Sequence, residues 1–147
     1  MHMIKSTDVV GIRDKIFAAE EFLKEQPQVD IPVAHYFSEG VYAREITIPA
    51  GVILTGEIHK FKQLNILSAG EMSVYTEDGI KRVCAPFTVV SPPGTKRIAY
   101  THTECVWTTI HGTDETDVEV IKAQFIARDE QDWLEFCNAN QLELGFK

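Results

Sequence analysis

Cysteine is scarce in this sequence and poorly placed for crosslinking. Cys84, Cys105 and Cys137 are the only three, their spacings are long, and no CxxC pair occurs. An odd count without such a pair gives neither a disulfide framework nor a zinc ribbon, and none of the three sits in a recognisable nucleophile context. Positive charge is also short: 14 basic residues face 22 acidic ones, for a net charge of -8. Nonspecific binding to nucleic acid or anionic lipid needs a basic face, so neither partner is expected, which leaves room only for a local cationic pocket. No apolar run approaches the ~20 residues of a membrane helix, and the opening MHMIKSTD has no apolar signal-peptide core. A reduced, cytoplasmic setting without a membrane partner is expected.

What is present is ordinary globular composition, 44% hydrophobic and 24% charged over 147 residues. That is most simply one domain spanning residues 1–147, able to bury roughly 70% of its unfolded surface. Residues 8–25 predict a helix, with Val9, Ile12, Ile16, Ala19 and Leu23 on one stripe, Thr7 or Asp8 as cap and Pro27 as stop. Such a stripe either packs on the domain's own sheet or binds a partner. From about residue 31 to 111 the pattern becomes short β segments: Pro32–Phe37, Val41–Ile48, Ile53–Lys60, Gln63–Leu67, Glu71–Thr76, Ile80–Ala85, Phe87–Ser91, Arg97–Thr101 and Val106–His111. Turn signals separate them, among them Glu77-Asp78-Gly79 and Pro92-Pro93-Gly94. Strands of this number and spacing predict a mainly β protein closed as a sandwich or barrel. After His111, a capping box of Thr116 with Glu119 predicts a short helix running into an extended piece. Residues 129–140 predict a terminal helix with Trp133, Phe136 and Cys137 on one face, Trp133 being its docking anchor.

Two glycine-spaced motifs stand inside the β region. Gly51 is followed by five residues, Glu57-Ile58-His59, three residues, Gln63, six residues and Gly70. Pro86 is followed by five residues, Pro92-Pro93-Gly94, two residues, Arg97, three residues and Thr101. With the strand order, these resemble the two motifs of the cupin superfamily of small jelly-roll barrels, in which the first reads Gly, His-x-His, Glu, Gly and the second Gly, Pro-x-Gly, His, Asn. The resemblance covers about residues 41–111 and implies a cupin-like jelly-roll β-barrel with a helix at each end. Here Glu57 stands for the first histidine, Gln63 for the glutamate, Pro86 for a glycine, Arg97 for the last histidine and Thr101 for the asparagine. The whole chain, including TDETD after the last strand, is also similar to small cupin-like proteins carried by bacteriophages.

The substitutions change the chemistry that the frame implies. A cupin metal needs about three imidazoles and a carboxylate, whereas arginine stays protonated, has no lone pair to give and repels a cation. No metal or other cofactor is expected, and Glu57 facing Arg97 is expected to form a buried ion pair in its place. A displaced metal site from His59, Glu57, His102 and His111 is the alternative. Alternation along the strands puts Glu57, His59, Gln63, Asn65 and Arg97 in the barrel, with Tyr100, His102, Trp107 and His111 as further candidates. Trp107, Thr109 and His111 share one face of the last strand; whether that face or the opposite one lines the pocket stays open, as does the side taken by Arg44. The leading expectation is a binding protein for a small polar or anionic metabolite (sugar, nucleotide or carboxylate), and the phage resemblance implies sequestration of a host signalling molecule as one form of it. The alternatives are a metal-independent epimerase, isomerase or lyase, with His59 as base oriented by Glu57, and a structural or assembly protein. A homodimer or higher homo-oligomer is expected because exposed sheet edges must be covered.

Overall fold

A computed structural model describes residues 6–140, with side chains from Gly11 onward in the first helix. His2, the expected caps Thr7 and Asp8, and the apolar Val9 lie outside the described residues or side chains. Helix α1 (Ser6–Lys24) packs against the four-stranded sheet at β3 (Ile53–Thr55) and β6 (Glu71–Thr76). Its stripe therefore serves the domain's own core, with Ile16 fully buried. The remaining strands are β1 (Val33–Ser38), β2 (Val41–Ile48), β4 (Ile58–His59), β5 (Gln63–Ala69), β7 (Gly79–Cys84), β8 (Phe87–Ser91), β9 (Ile98–Thr101), β10 (Cys105–Gly112) and β11 (Ile126–Ala127). Helices α2 (Val118–Phe125) and α3 (Glu130–Ala139) follow β10 and β11 respectively.

Every strand pair is antiparallel. One sheet runs β1-β2-β10-β5-β8, the second β3-β9-β6-β7, and β11 pairs with β4. Because β10 inserts between β2 and β5, strands distant in sequence become neighbours, which is the crossing connection of a jelly roll. Between the sheets lies a core of Ile48, Val52, Leu67, Met72, Val83 and Cys105. Burying a side chain such as Leu67 contributes roughly 1.5–3 kcal/mol.

Two glycines of the motifs are required by close approach. Gly70 has φ 90°, and a Cβ there would stand 2.1 Å from the carbonyl oxygen of Glu104. Gly94 has φ 78°, and its Cβ would stand 2.2 Å from Cζ2 of Trp133. The proline turn is thus the seat of α3, whose Trp133 and Cys137 join Ile58 and Ala127 in a second cluster. Arg13 fastens the same corner: its guanidinium donates to Glu130 (2.9 Å), to Glu77 (3.1 Å) and to the carbonyl of Gly94 (2.7 Å).

Two expectations are corrected by the backbone. The single strand Ile53–Lys60 is two, because the chain leaves β9 at Gly56, whose N–H donates to the Arg97 carbonyl (3.0 Å). It then pairs with β11 through His59, opposite Ile126. The cap of α2 is Asp117 rather than Thr116: its carboxylate accepts from the N–H groups of Glu119 (2.9 Å) and Val120 (3.4 Å). The extended piece after α2 and the terminal helix fall where expected.

Candidate functional site

Period-2 alternation on β2, β10 and β5 aims one set of side chains at the facing sheet. In register, Trp107 stands opposite Ile46, Thr109 opposite Arg44 and Asn65, and His111 opposite Tyr42. These residues line a cavity of about 500 Å³ between the sheets, within the usual range for small-molecule sites. The inward face of β10 is therefore that of Trp107, Thr109 and His111, and Arg44 faces inward with it. Leu23 and Lys24 of α1, the segment after it, and Ile121 and Lys122 of α2 border the same space.

A chain of hydrogen bonds crosses the buried wall. The Thr109 hydroxyl donates to Asn65 Oδ1 (2.9 Å), and Asn65 Nδ2 donates to Ser91 Oγ (2.7 Å). Arg97 Nη2 donates to the same oxygen. Asn65 and Ser91 are wholly buried, so each group needs these partners. Two buried atoms have none among the described residues: Gln63 Oε1 and His59 Nδ1.

Arg44, Arg97, Lys24 and Lys122 line the cavity together with two carboxylates, Glu20, which pairs with Lys96, and Glu57. Arg97 lies 6.0 Å from the Trp107 ring centre, a cation–π distance, and burial draws its pKa below the ordinary guanidinium value. Among the described residues neither Arg44 nor Arg97 forms an ion pair. His59 and His111 stack at 5.3 Å between ring centres. Burial first, then His111, then Arg97 and Arg44 hold the His59 pKa at about 3, so that ring is neutral near pH 7. Burial and Arg44 lower His111 as well.

The structure departs from the expected site in three places. Glu57 is exposed at the rim, because the break after β3 ends the alternation that would have turned it inward; its carboxylate makes no ion pair with Arg97 and no hydrogen bond to the His59 ring. Tyr100 lies on the outer face of β9 and His102 just past its end, with Tyr100 exposed, its ring edge-on to His102, and His102 hydrogen-bonded to Ser73 Oγ (2.7 Å). A His59, His102, His111 set is therefore not brought together, and no three metal-ligating side chains converge among the described residues. Thr101 bonds the Pro49 carbonyl (2.7 Å) and the Val52 N–H (3.0 Å), fixing the turn before β3. The residues at the cupin ligand positions do not fit a divalent cation: one imidazole, one buried amide, a carboxylate on the rim and a guanidinium. The sequence pattern does not settle the side taken by Arg44, and it marks Ser91 only by its position directly before Pro92-Pro93-Gly94.

These pairings define a mainly β jelly roll with helices at both ends. No family model and no curated protein matches the chain. Solved structures similar to it include a cupin superfamily protein from Desulfitobacterium hafniense, at 13% identity and TM-score 0.49, over 61% of this chain and 84% of that one. An RmlC-like cupin family protein with a double-stranded β-helix fold from Methanocaldococcus jannaschii gives 16% and 0.48, over 61% and 86%. KdgF from a Halomonas species gives 14% and 0.49, over 60% and 86%. At these identities the likeness is one of fold. No helix among the described residues is long and apolar enough to cross a membrane.

Proposed function

We propose that the protein binds a small anionic metabolite inside the barrel, with Arg97 and Arg44 as its charge partners. One observation carries the reading: two guanidiniums face a cavity of about 500 Å³ and neither has a carboxylate partner among the described residues. A half-buried cation without a counter-ion carries part of the desolvation cost, and a bidentate carboxylate or phosphate is the group a guanidinium fork matches. The enzymatic reading is less well supported, since His59 at about 3 is a weak base and the Glu57 carboxylate does not orient it.

The test is a thermal-shift and calorimetric panel of organic acids, sugar acids, phosphate monoesters and nucleotides, with neutral and cationic analogues as controls. Anions alone should raise the melting temperature. Arg97→Met should bind at least tenfold more weakly yet melt at or above the unliganded wild type, because an uncompensated half-buried charge has been removed. Equal binding of neutral analogues, or unchanged anion binding in the Arg44→Met, Arg97→Met double variant, overturns the reading.

A further inference from the structure

Strand register divides the cavity into a polar and an apolar half. On the five-stranded sheet the rung Arg44–Thr109–Asn65 is polar. Two residues further along each strand the rung is Ile46–Trp107, and two further again it is Ile48–Cys105. The facing sheet repeats the order: Arg97 precedes β9, and two residues on, Leu54–Ala99–Val74 form an apolar rung. Both sheets therefore change character in the same direction, over about 7 Å per rung. The apolar half is continuous with the core, since Ile48, Val52 and Met72 belong to both.

We infer that the ligand is an amphipathic anion, a carboxylate head on an aliphatic or aromatic body, with the head at Arg44 and Arg97 and the body along Ile46, Trp107, Leu54 and Val74. This rests on the reading of the cavity as an anion site and narrows it. A bare sugar acid or inorganic phosphate would leave the apolar rungs against water, which costs hydrophobic free energy. A wholly apolar ligand would leave both guanidiniums without a counter-ion. Only a ligand with both characters meets both halves.

Calorimetric titration of the full chain with unbranched carboxylates, from acetate upward, tests this directly. The series is run beside primary alcohols of matched length, an aryl carboxylate and inorganic phosphate. The dissociation constant should fall about fourfold per added methylene until the apolar half is filled, and matched alcohols should bind at least tenfold more weakly. Ala99→Leu, which narrows the apolar half, should lower the preferred chain length; should it not fold, the wild-type series decides alone. Equal affinity for short and long carboxylates overturns the inference while the anion reading stands. Alcohols binding as well as carboxylates instead overturns the anion reading. If no carboxylate of any length binds, the inference fails, and the phosphate titration shows whether anion binding survives it.

Discussion

Replacing Glu20 tests how α1 is held at the edge of the cavity. Lys96, directly before Arg97, is 4% exposed and donates to Glu20 Oε2 (2.5 Å) and to the Gly56 carbonyl (2.7 Å). Its ammonium also lies 5.2 Å from the Phe17 ring centre. Burial pushes the Glu20 carboxyl up, but Lys96 and the Thr55 hydroxyl outweigh it and hold it below its ordinary value. Glu20→Gln preserves shape and removes the counter-charge, leaving Lys96 buried on a carbonyl and a ring. Breaking a fully buried pair costs about 3–5 kcal/mol; Glu20 keeps 21% of its side chain exposed, so the expected cost is roughly 2–3 kcal/mol. For a chain of this size that lowers Tm by about 5–10 °C. Lys96→Met should cost less, because the carboxylate it strands still reaches solvent. Adding Lys96→Met to Glu20→Gln should recover most of the loss, since no buried charge remains. Calorimetric melts of the four proteins give the full cycle. A Glu20→Gln variant within about 2 °C of wild type, or a double variant as damaged as the single, refutes the pairing.

Two further outcomes follow from the same geometry. The His59 pKa of about 3 lies below the ordinary 6.5, so as pH falls the unfolded chain takes up the proton first. This contribution is complete above pH 6.5 and is lost toward pH 3 at about 1.4 kcal/mol per pH unit, with His111 acting in the same direction. Urea unfolding should be weaker at pH 5 than at pH 7 by roughly 2 kcal/mol, and His59→Gln should flatten the profile; equal stability at the two values contradicts the burial of the ring. Gly94→Ala combines a left-handed backbone with a Cβ 2.2 Å from Trp133 and should cost about 2–4 kcal/mol. The near-UV signal of Trp133 should change with it, and a loss under about 0.5 kcal/mol would show that α3 is not seated on this turn.

The strands were legible wherever a turn residue bounded an alternating run. Val41–Ile48, Glu71–Thr76 and Phe87–Ser91 have the same limits in sequence and structure, because glycine or proline at their ends leaves little freedom of boundary. Parity, however, is inherited only within one unbroken strand. His59 and Glu57 share a parity in the sequence, but the chain changes partners at Gly56 between β9 and β11, so the inward face of β4 cannot be counted from β3. At β9 the same rule works against the broad candidate list: Ala99 lines the cavity, so alternation within the strand puts Tyr100 on the opposite face. The Glu20–Lys96 pair joins a helix to a loop 76 positions away, and no local pattern records such a partnership.

The glycine spacing outlives the ligand set for a physical reason. Gly70 and Gly94 are fixed by a carbonyl and an indole standing where a Cβ would be, and neither demand depends on what the barrel holds. Spacing therefore reports turn geometry, while the chemistry depends on the side chains between the turns. Those side chains also mislead when read in pairs. Glu57 and Arg97 occupy motif positions that invite an ion pair, yet a pair requires both to face the same space, and Glu57 sits on the rim. The consequence changes the charge that a ligand would meet. A guanidinium neutralised by Glu57 would offer only hydrogen bonds, whereas Arg97 and Arg44 both face the cavity without an ion-pair partner among the described residues, and that difference is what the anion panel reads.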